Sequence, residues 1–268
     1  MSAIIIIRPG EELAVNPVAA GFAHGLAIFE TIRLRQGRLE FWASHWQRLA
    51  KSARALDIQC PFIVDTVLGA IHELAGELSG EGTIKLSLLK EGGGSRLIVY
   101  SRPSFPKPER VGLLLGSAFR LNDLSPLAGH KTHNYAESAL ALAQARELGC
   151  YDTLRLNTRE AIAEAAVSNV FFVQAGCLRT PPEASGLLPG VVRDALLGGI
   201  GVDTSEAFLE DISSAEAVYL TNSSVGVLPV DYLLKAGEPH ELSSAAHPAY
   251  AEMQSVLEAQ LESGSVVL

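Results

Sequence analysis

Short apolar runs and period-2 alternation dominate the first hundred positions. Ile4 to Ile7, Ile28 to Leu34, Thr83 to Leu89 and Leu97 to Tyr100 each predict a strand. Between them, apolar residues recur at helical spacing over His45 to Leu56 and Asp65 to Leu78. Together these elements predict a small α+β domain over residues 1–102. Arg102-Pro103-Ser104-Phe105-Pro106-Lys107-Pro108 then places three prolines in seven positions, which blocks both helix and interior strand, so residues 103–110 are expected to be a linker. The larger second domain, residues 111–268, opens with a strand expected over Val111 to Ala118. A helix follows over Asn134 to Leu148, with Asn134 as N-cap, Glu137 as its capping-box partner and Gly149 at the stop. Strands over Thr153 to Leu156 and Ile162 to Val173 are expected to form a hairpin. A turn over Thr180 to Gly190, a helix from Val191, a strand over Ala217 to Thr221 and a C-terminal helix over Ala249 to Leu261 complete the pattern. The fold class expected is a two-domain mixture of α+β and α/β structure, the second domain rich in strands.

Composition narrows what such a chain can do. With 268 residues, 48% of them hydrophobic, it can bury a sizeable core in each domain. The net charge of -9 comes with no local basic cluster, which argues against a nucleic-acid partner, and any anionic ligand must be met by a few placed cations. Cys60, Cys150 and Cys177 are odd in number and lack metal-site spacing, as expected of reduced thiols in a cytoplasmic protein. Ile4 to Ile7 is too short to cross a membrane and has no basic flank before it, so it is expected to be a buried strand and not a targeting or anchoring segment.

Several residues invite chemistry. Lys131 stands just ahead of a predicted helix. Glu164 interrupts a run of small apolar residues, Ala161-Ile162-Ala163-Glu164-Ala165-Ala166-Val167, where a carboxylate is costly unless a cationic partner meets it. Gly190-Val191-Val192 opens a helix whose first N–H groups can receive an anion. His130 and His133 are close enough to share a metal, but no third ligand follows in a recognised pattern, so no metal site is expected. Gly92-Gly93-Gly94-Ser95 lacks the lysine and the strand-to-helix context of a nucleotide loop and is expected to be a hairpin tip.

Taken in order, five blocks carry a resemblance. They are Gly25-Leu26-Ala27-Ile28-Phe29-Glu30-Thr31-Ile32-Arg33; His45-Trp46-Gln47-Arg48-Leu49; Lys131-Thr132-His133-Asn134-Tyr135; Glu164 with Asn169; and Thr180-Pro181 with Gly186-Leu187-Leu188-Pro189-Gly190-Val191-Val192-Arg193. The chain resembles the class IV, or fold-type IV, pyridoxal-phosphate enzymes over most of its length. That resemblance implies a cofactor held between the two domains, with Lys131 as Schiff-base lysine and general base. It implies a Tyr135 phenol on the cofactor's ring oxygen and Glu164 on its pyridine nitrogen. Arg48 is the implied phosphate cation, with Leu188, Val191, Val192, Ser223 and Ser224 completing the cofactor site. An amine attacks a carbonyl only in its neutral form, which burial near other cations favours for Lys131.

Three activities are known in that family: branched-chain aminotransfer, D-amino-acid aminotransfer, and lysis of 4-amino-4-deoxychorismate to p-aminobenzoate and pyruvate. Phe29, Thr31 and Arg33 share one face of a strand that lines the substrate pocket in the family. The family's branched-chain enzymes show a tyrosine and an arginine where Thr83 and Lys85 stand, and its D-amino-acid enzymes show an arginine followed two residues later by a histidine, where Arg96 is followed by Ile98. The lyase pattern matches best, with Arg96 as a further substrate residue and the Lys90 to Arg96 tip expected to reach a neighbouring subunit's substrate in a homodimer. A primary-amine small molecule is the expected partner. A non-catalytic binding module on the same fold is the remaining alternative, against which the intact Lys131, Tyr135, Glu164 and Arg48 argue.

Overall fold

The computed structural model describes residues 2–8, 10–78, 80–102, 108–116 and 118–268. The chain forms two compact units. One comprises residues 1–105, 130–134 and 261–268; the other comprises residues 106–129 and 135–260. The core of the expected linker, residues 103–107, lies outside the described residues.

The first unit is a six-stranded sheet covered on one face by two helices. Its elements are β1 (Ala3–Ile7), a short helix α1 (Ala20–Ala23), β2 (Ala27–Arg35), β3 (Arg38–Leu39), α2 (Trp42–Ala55), α3 (Val64–Gly76), β4 (Gly82–Glu91) and β5 (Gly94–Arg102). The strand order is β1-β5-β4-β2-β3, closed at the β3 edge by the C-terminal strand Val266–Val267. Alternation along the strands decides which side is covered. Ile28, Ile32 and Leu34 of β2, Ile84, Leu86 and Leu88 of β4, and Leu97 and Val99 of β5 are buried in one cluster with Leu49 of α2 and Ile71 and Leu74 of α3. Phe29, Thr31 and Arg33 therefore face the other way and stay partly exposed. Strands β4 and β5 meet in a tight hairpin at Gly92 and Gly93, with Glu91 opposite Gly94 and Gly93 at φ +79°.

The segment that carries Lys131 belongs to this first unit, although the alternation pattern assigned it to the domain beyond the linker. The reason is backbone pairing with β2. Phe29 donates its N–H to the Lys131 carbonyl and His133 donates to the Ala27 carbonyl, each at 2.9 Å. Residues 130–134 thus lie along the start of β2 as an extra strip.

The second unit holds two sheets. Strands β6 (Gly112–Leu114), β7 (Asp152–Leu156), β8 (Ile162–Ala165), β13 (Tyr232–Lys235) and β14 (Glu238–Glu241) make one, in the order β14-β13-β6-β7-β8. Strands β9 (Asn169–Gln174), β10 (Cys177–Arg179), β11 (Ala217–Asn222) and β12 (Gly226–Pro229) make the other, in the order β10-β9-β11-β12. Helices α4 (Ala136–Glu147), α5 (Val191–Leu197), α6 (Leu209–Ser213) and α7 (Pro248–Gly264) complete the chain.

Three expectations are corrected here. The strand expected over Val111 to Ala118 ends by Leu115, before Gly116 takes φ +89°. The strand expected from Ile162 to Val173 is two strands in different sheets, broken where the buried Asp152 carboxylate draws in the N–H of Ala166 at 2.9 Å and the Ser168 hydroxyl at 2.9 Å. Helix α4 has Tyr135 and not Asn134 at its N-cap, with no side-chain cap. The Asn134 amide donates instead to the Gly25 carbonyl at 2.9 Å, and Glu137 accepts from Arg155 at 3.1 Å. The helix stop is as expected: the N–H of Cys150 meets the Ala145 carbonyl and that of Gly149 meets Arg146, with Gly149 at φ +77°.

Candidate active site

In the first unit, the site is organised around Glu30. Period-2 alternation places this carboxylate on the buried face of β2, among Ile28, Ile32 and Leu34, where it is 1% exposed. Two residues of α2, one turn apart, meet it there. Arg48 grips it with Nε on Oε1 at 2.8 Å and Nη2 on Oε2 at 2.6 Å, and His45 Nδ1 lies 2.7 Å from Oε2. Burial by itself would raise the Glu30 pKa, but the charge and hydrogen bonds of Arg48, together with His45, hold it down at about 2. Burial lowers the pKa of His45 despite the carboxylate, so the ring is neutral at pH 7. The guanidinium of Arg48, 10% exposed on its side chain, is thereby fixed in orientation by two bonds. These two partners are what the sequence reading missed. Glu30 and His45 both stood within the quoted blocks, and their signal was a carboxylate in register with an apolar stripe.

On the opposite face of the same sheet, Phe29 is the hub. The Nζ of Lys131 lies 4.6 Å from its ring centre, that of Lys85 lies 4.1 Å from it, and His133 meets it edge-on at 5.4 Å. Lys85 donates to Thr31 Oγ1 at 2.7 Å, and His133 Nε2 is 3.2 Å from Ser87 Oγ. The register sets Thr31 beside Lys85, and Arg33 beside Thr83, itself beside Arg102. Burial first, then the charges of Lys131 and Arg102, bring Lys85 down to about 7. His130 turns away, its Nδ1 2.9 Å from Ser52 Oγ, so the two histidines have different partners.

Gly92 and Gly93 form the hairpin tip expected between β4 and β5. Lys90 pairs with Asp57 at 2.8 Å and Arg96 with Glu91 at 3.0 Å. Its two flanking cations are therefore already met within the chain, and Arg96 lies inside β5 opposite Leu89.

In the second unit, β8 and β9 present a carboxylate clamp. Glu164 Oε2 accepts the N–H of Leu188 at 3.0 Å and the side-chain amide of Asn169 at 3.3 Å, while the same amide donates to the Leu188 carbonyl at 2.8 Å. Leu188 thus acts through its backbone, as a brace for Glu164. Beside it, Gly190 leads into α5, whose first residues are Val191 and Val192. A Cβ on Gly190 would sit 2.0 Å from Asn169 Oδ1, so a larger residue at this helix start would have to displace the Asn169 amide. The Tyr135 phenol lies 3.4 Å from the Ala166 carbonyl, and burial, then the carboxylates of Glu164 and Asp152, push its pKa up, so it stays a protonated donor. In the turn between β11 and β12, the Ser224 N–H is already bonded to Asn222 Oδ1 at 2.9 Å, so what Ser224 can offer an anion is its hydroxyl. Ser223 precedes it in the same turn.

The family model for class IV amino-transferases matches residues 27–233. The chain belongs to the class IV aminotransferase family. Among curated relatives, it is 29% identical over 211 residues to a probable branched-chain-amino-acid aminotransferase of Thermotoga maritima, covering 76% of each chain. It is also 29% identical over 231 residues to an aminodeoxychorismate lyase of Vibrio harveyi, covering 78% of this chain and 83% of the other. The structure resembles the crystal structure of a 4-amino-4-deoxychorismate lyase from Pseudomonas aeruginosa with a TM-score of 0.80 and 27% identity, over 95% of this chain and 97% of that one. As a member of this family the protein is an enzyme, and pyridoxal 5'-phosphate is its cofactor. The residues present suit that cofactor: a lysine amine beside other cations, a carboxylate braced by two donors, and a helix start where a Cβ would intrude. Among the described residues no helix is long and apolar enough to cross a membrane.

Proposed function

We propose that the enzyme converts 4-amino-4-deoxychorismate to p-aminobenzoate and pyruvate. The observation that carries this choice is the polar, cation-rich strand face: Arg33, Lys85 and Arg102 with the hydroxyls of Thr31 and Thr83. A substrate with two carboxylates and a ring amine finds matching charge there, whereas the side chain of a branched-chain amino acid would have to desolvate those groups without replacing their hydrogen bonds. The V. harveyi and P. aeruginosa lyases support the same reading.

When bound, the cofactor supplies a carbonyl that captures amines and an electron sink for the charge formed next to them. Lys131 Nζ would hold it and, once displaced by the substrate amine, take the proton from the amine-bearing carbon. Glu164 would keep the pyridine nitrogen protonated, its own position fixed by Leu188 and Asn169. Tyr135 would donate to the ring oxygen. Arg48, the amides of Val191 and Val192, and the hydroxyls of Ser223 and Ser224 would receive the phosphate. Phe29, Thr31, Arg33 and, at the far end of the same face, Arg96 would bound the substrate. Departure of pyruvate aromatises the ring, which draws the reaction forward.

The test is product analysis on purified enzyme, with borohydride reduction to locate the cofactor. Stoichiometric p-aminobenzoate and pyruvate, with the reduced tag on Lys131, is the expected result. Amino transfer to keto acids without p-aminobenzoate would overturn the substrate assignment, and a tag on Lys85 would overturn the assignment of Lys131.

A further inference from the structure

At the start of β7 the second unit buries a carboxylate without a cation. Asp152 is fully buried, its partners among the described residues are hydrogen-bond donors and not charges, and burial raises its pKa to about 6, so it is mostly ionised at pH 7. Oδ1 accepts the N–H of Thr153 at 2.8 Å and that of Ala166 at 2.9 Å, while Oδ2 accepts the Ser168 hydroxyl at 2.9 Å and the Val167 N–H at 3.4 Å. An ionised carboxylate can only accept, so Ser168 donates its one proton there and turns lone pairs elsewhere. They receive the Asn222 side-chain amide at 3.2 Å. The Asn222 oxygen is left to face the backbone, where it accepts the N–H of Ser224 at 2.9 Å and that of Val225 at 3.1 Å. Asn222 stands opposite Gly226 where β11 turns into β12, so the residues it holds are that turn. The chain of bonds has a direction, and the carboxylate at its buried end sets it.

We infer that Asp152 is a positioning residue for the cofactor: through Ser168 and Asn222 it sets the β11–β12 turn that presents the Ser223 and Ser224 hydroxyls to the phosphate. The inference rests on the assignment of that turn to the phosphate. It explains why a charge is buried here at all, given what desolvation costs. Joining β7 to the end of β8 needs an acceptor for the Thr153 and Ala166 N–H groups, which the oxygen of an asparagine would supply as well. The second acceptor, on the Ser168 side, is what a carboxylate adds, and it is the one from which the path to Asn222 starts.

The experiment is equilibrium titration of the full-length, cofactor-stripped protein with pyridoxal 5'-phosphate at pH 7, together with the phosphorus NMR resonance of the bound cofactor. Wild type, Asp152→Asn, Ser168→Ala, the double variant of these two, and the pair Ser223→Ala with Ser224→Ala are compared, with circular dichroism and thermal unfolding to follow the fold. Asp152→Asn and Ser168→Ala should each weaken affinity about tenfold, as for one lost hydrogen bond, and displace the phosphorus resonance. The double variant should bind no more weakly than the weaker of the two, because both changes cut one path. If Asp152→Asn does not fold, Ser168→Ala decides alone. Lowered thermal stability with affinity and resonance unchanged in either folded variant would make the network purely structural and overturn the inference, as would losses that add in the double variant. Should the paired serine replacement move both readouts while the Asp152 and Ser168 variants do not, the inference fails and the phosphate assignment stands. Should the serine pair leave both readouts unchanged, the phosphate assignment fails and the inference with it.

Discussion

Replacing Glu30 by glutamine tests whether the buried carboxylate anchors Arg48 and His45 in the first unit. The substitution keeps the shape but removes the charge that holds Arg48 by two bonds and His45 by one. Loss of one partner of a buried ion pair costs about 3 to 5 kcal/mol, because the remaining charge is left desolvated. The titration behaviour gives a second route: lowering the carboxylate from 4.5 to about 2 corresponds to about 3 kcal/mol of stability when it is fully ionised. The two agree near 3 kcal/mol. The folded pKa is depressed, so this stability is present above pH 4.5 and is lost as pH falls toward 2. By pH 3.5 wild type should have surrendered more than about 1 kcal/mol of it, whereas Glu30→Gln has nothing to surrender. Trp42 and Trp46 are the chain's two tryptophans and stack on each other in α2, so urea unfolding followed by their fluorescence reports on the unit that contains Glu30. A wild-type advantage near 3 kcal/mol at pH 7 that shrinks at pH 3.5 is expected. An advantage that stays constant across that range would refute the ion-pair argument.

Two further outcomes follow from the second unit. Gly190→Ala forces a methyl onto Asn169 Oδ1 and should cost about 1 to 3 kcal/mol while weakening cofactor retention, measured by thermal unfolding and by titration of the stripped protein; unchanged values of both would show that the Gly190 contact is not needed. Asp152, raised by burial to about 6 against its bonds to Ala166 and Ser168, should behave oppositely to Glu30. Its folded pKa exceeds the unfolded value, so its contribution declines as pH rises from 3.8 through 6, and the stability gap between wild type and Asp152→Asn should narrow by about 2 kcal/mol between pH 4.5 and 7. A gap that widens would contradict the assigned direction.

Local pattern carried much of this structure. The alternation of Ile28, Ile32 and Leu34 against Phe29, Thr31 and Arg33 fixed both faces of β2 before any coordinates, and the same alternation put Glu30 on the buried side, where its partners could have been sought at His45 and Arg48. Long-range competition is what stayed hidden. Asn134 has the chemistry of an N-cap, yet the Gly25 carbonyl takes its amide. Lys90 meets Asp57, a partner that sequence spacing does not point to. The break at residues 166–168 depends on Asp152, whose side chain is satisfied only once β7, β8 and β9 are assembled. No periodicity announces that the strip around Lys131 pairs with β2, because backbone hydrogen bonds leave no trace in side-chain identity.

That strip has a consequence for how this enzyme can be taken apart. The chain passes between its two units four times, at residues 105/106, 129/130, 134/135 and 260/261. Cutting at the proline-rich segment would strand Lys131 on the fragment that does not hold Phe29, and would strip the β3 edge of its C-terminal strand. The halves are therefore not interchangeable cassettes: a chimera joined at the segment would swap Lys131 along with the second unit, and would graft a foreign strip onto the resident β2. Recombination that preserves chemistry has to carry residues 130–134 with the N-terminal parent.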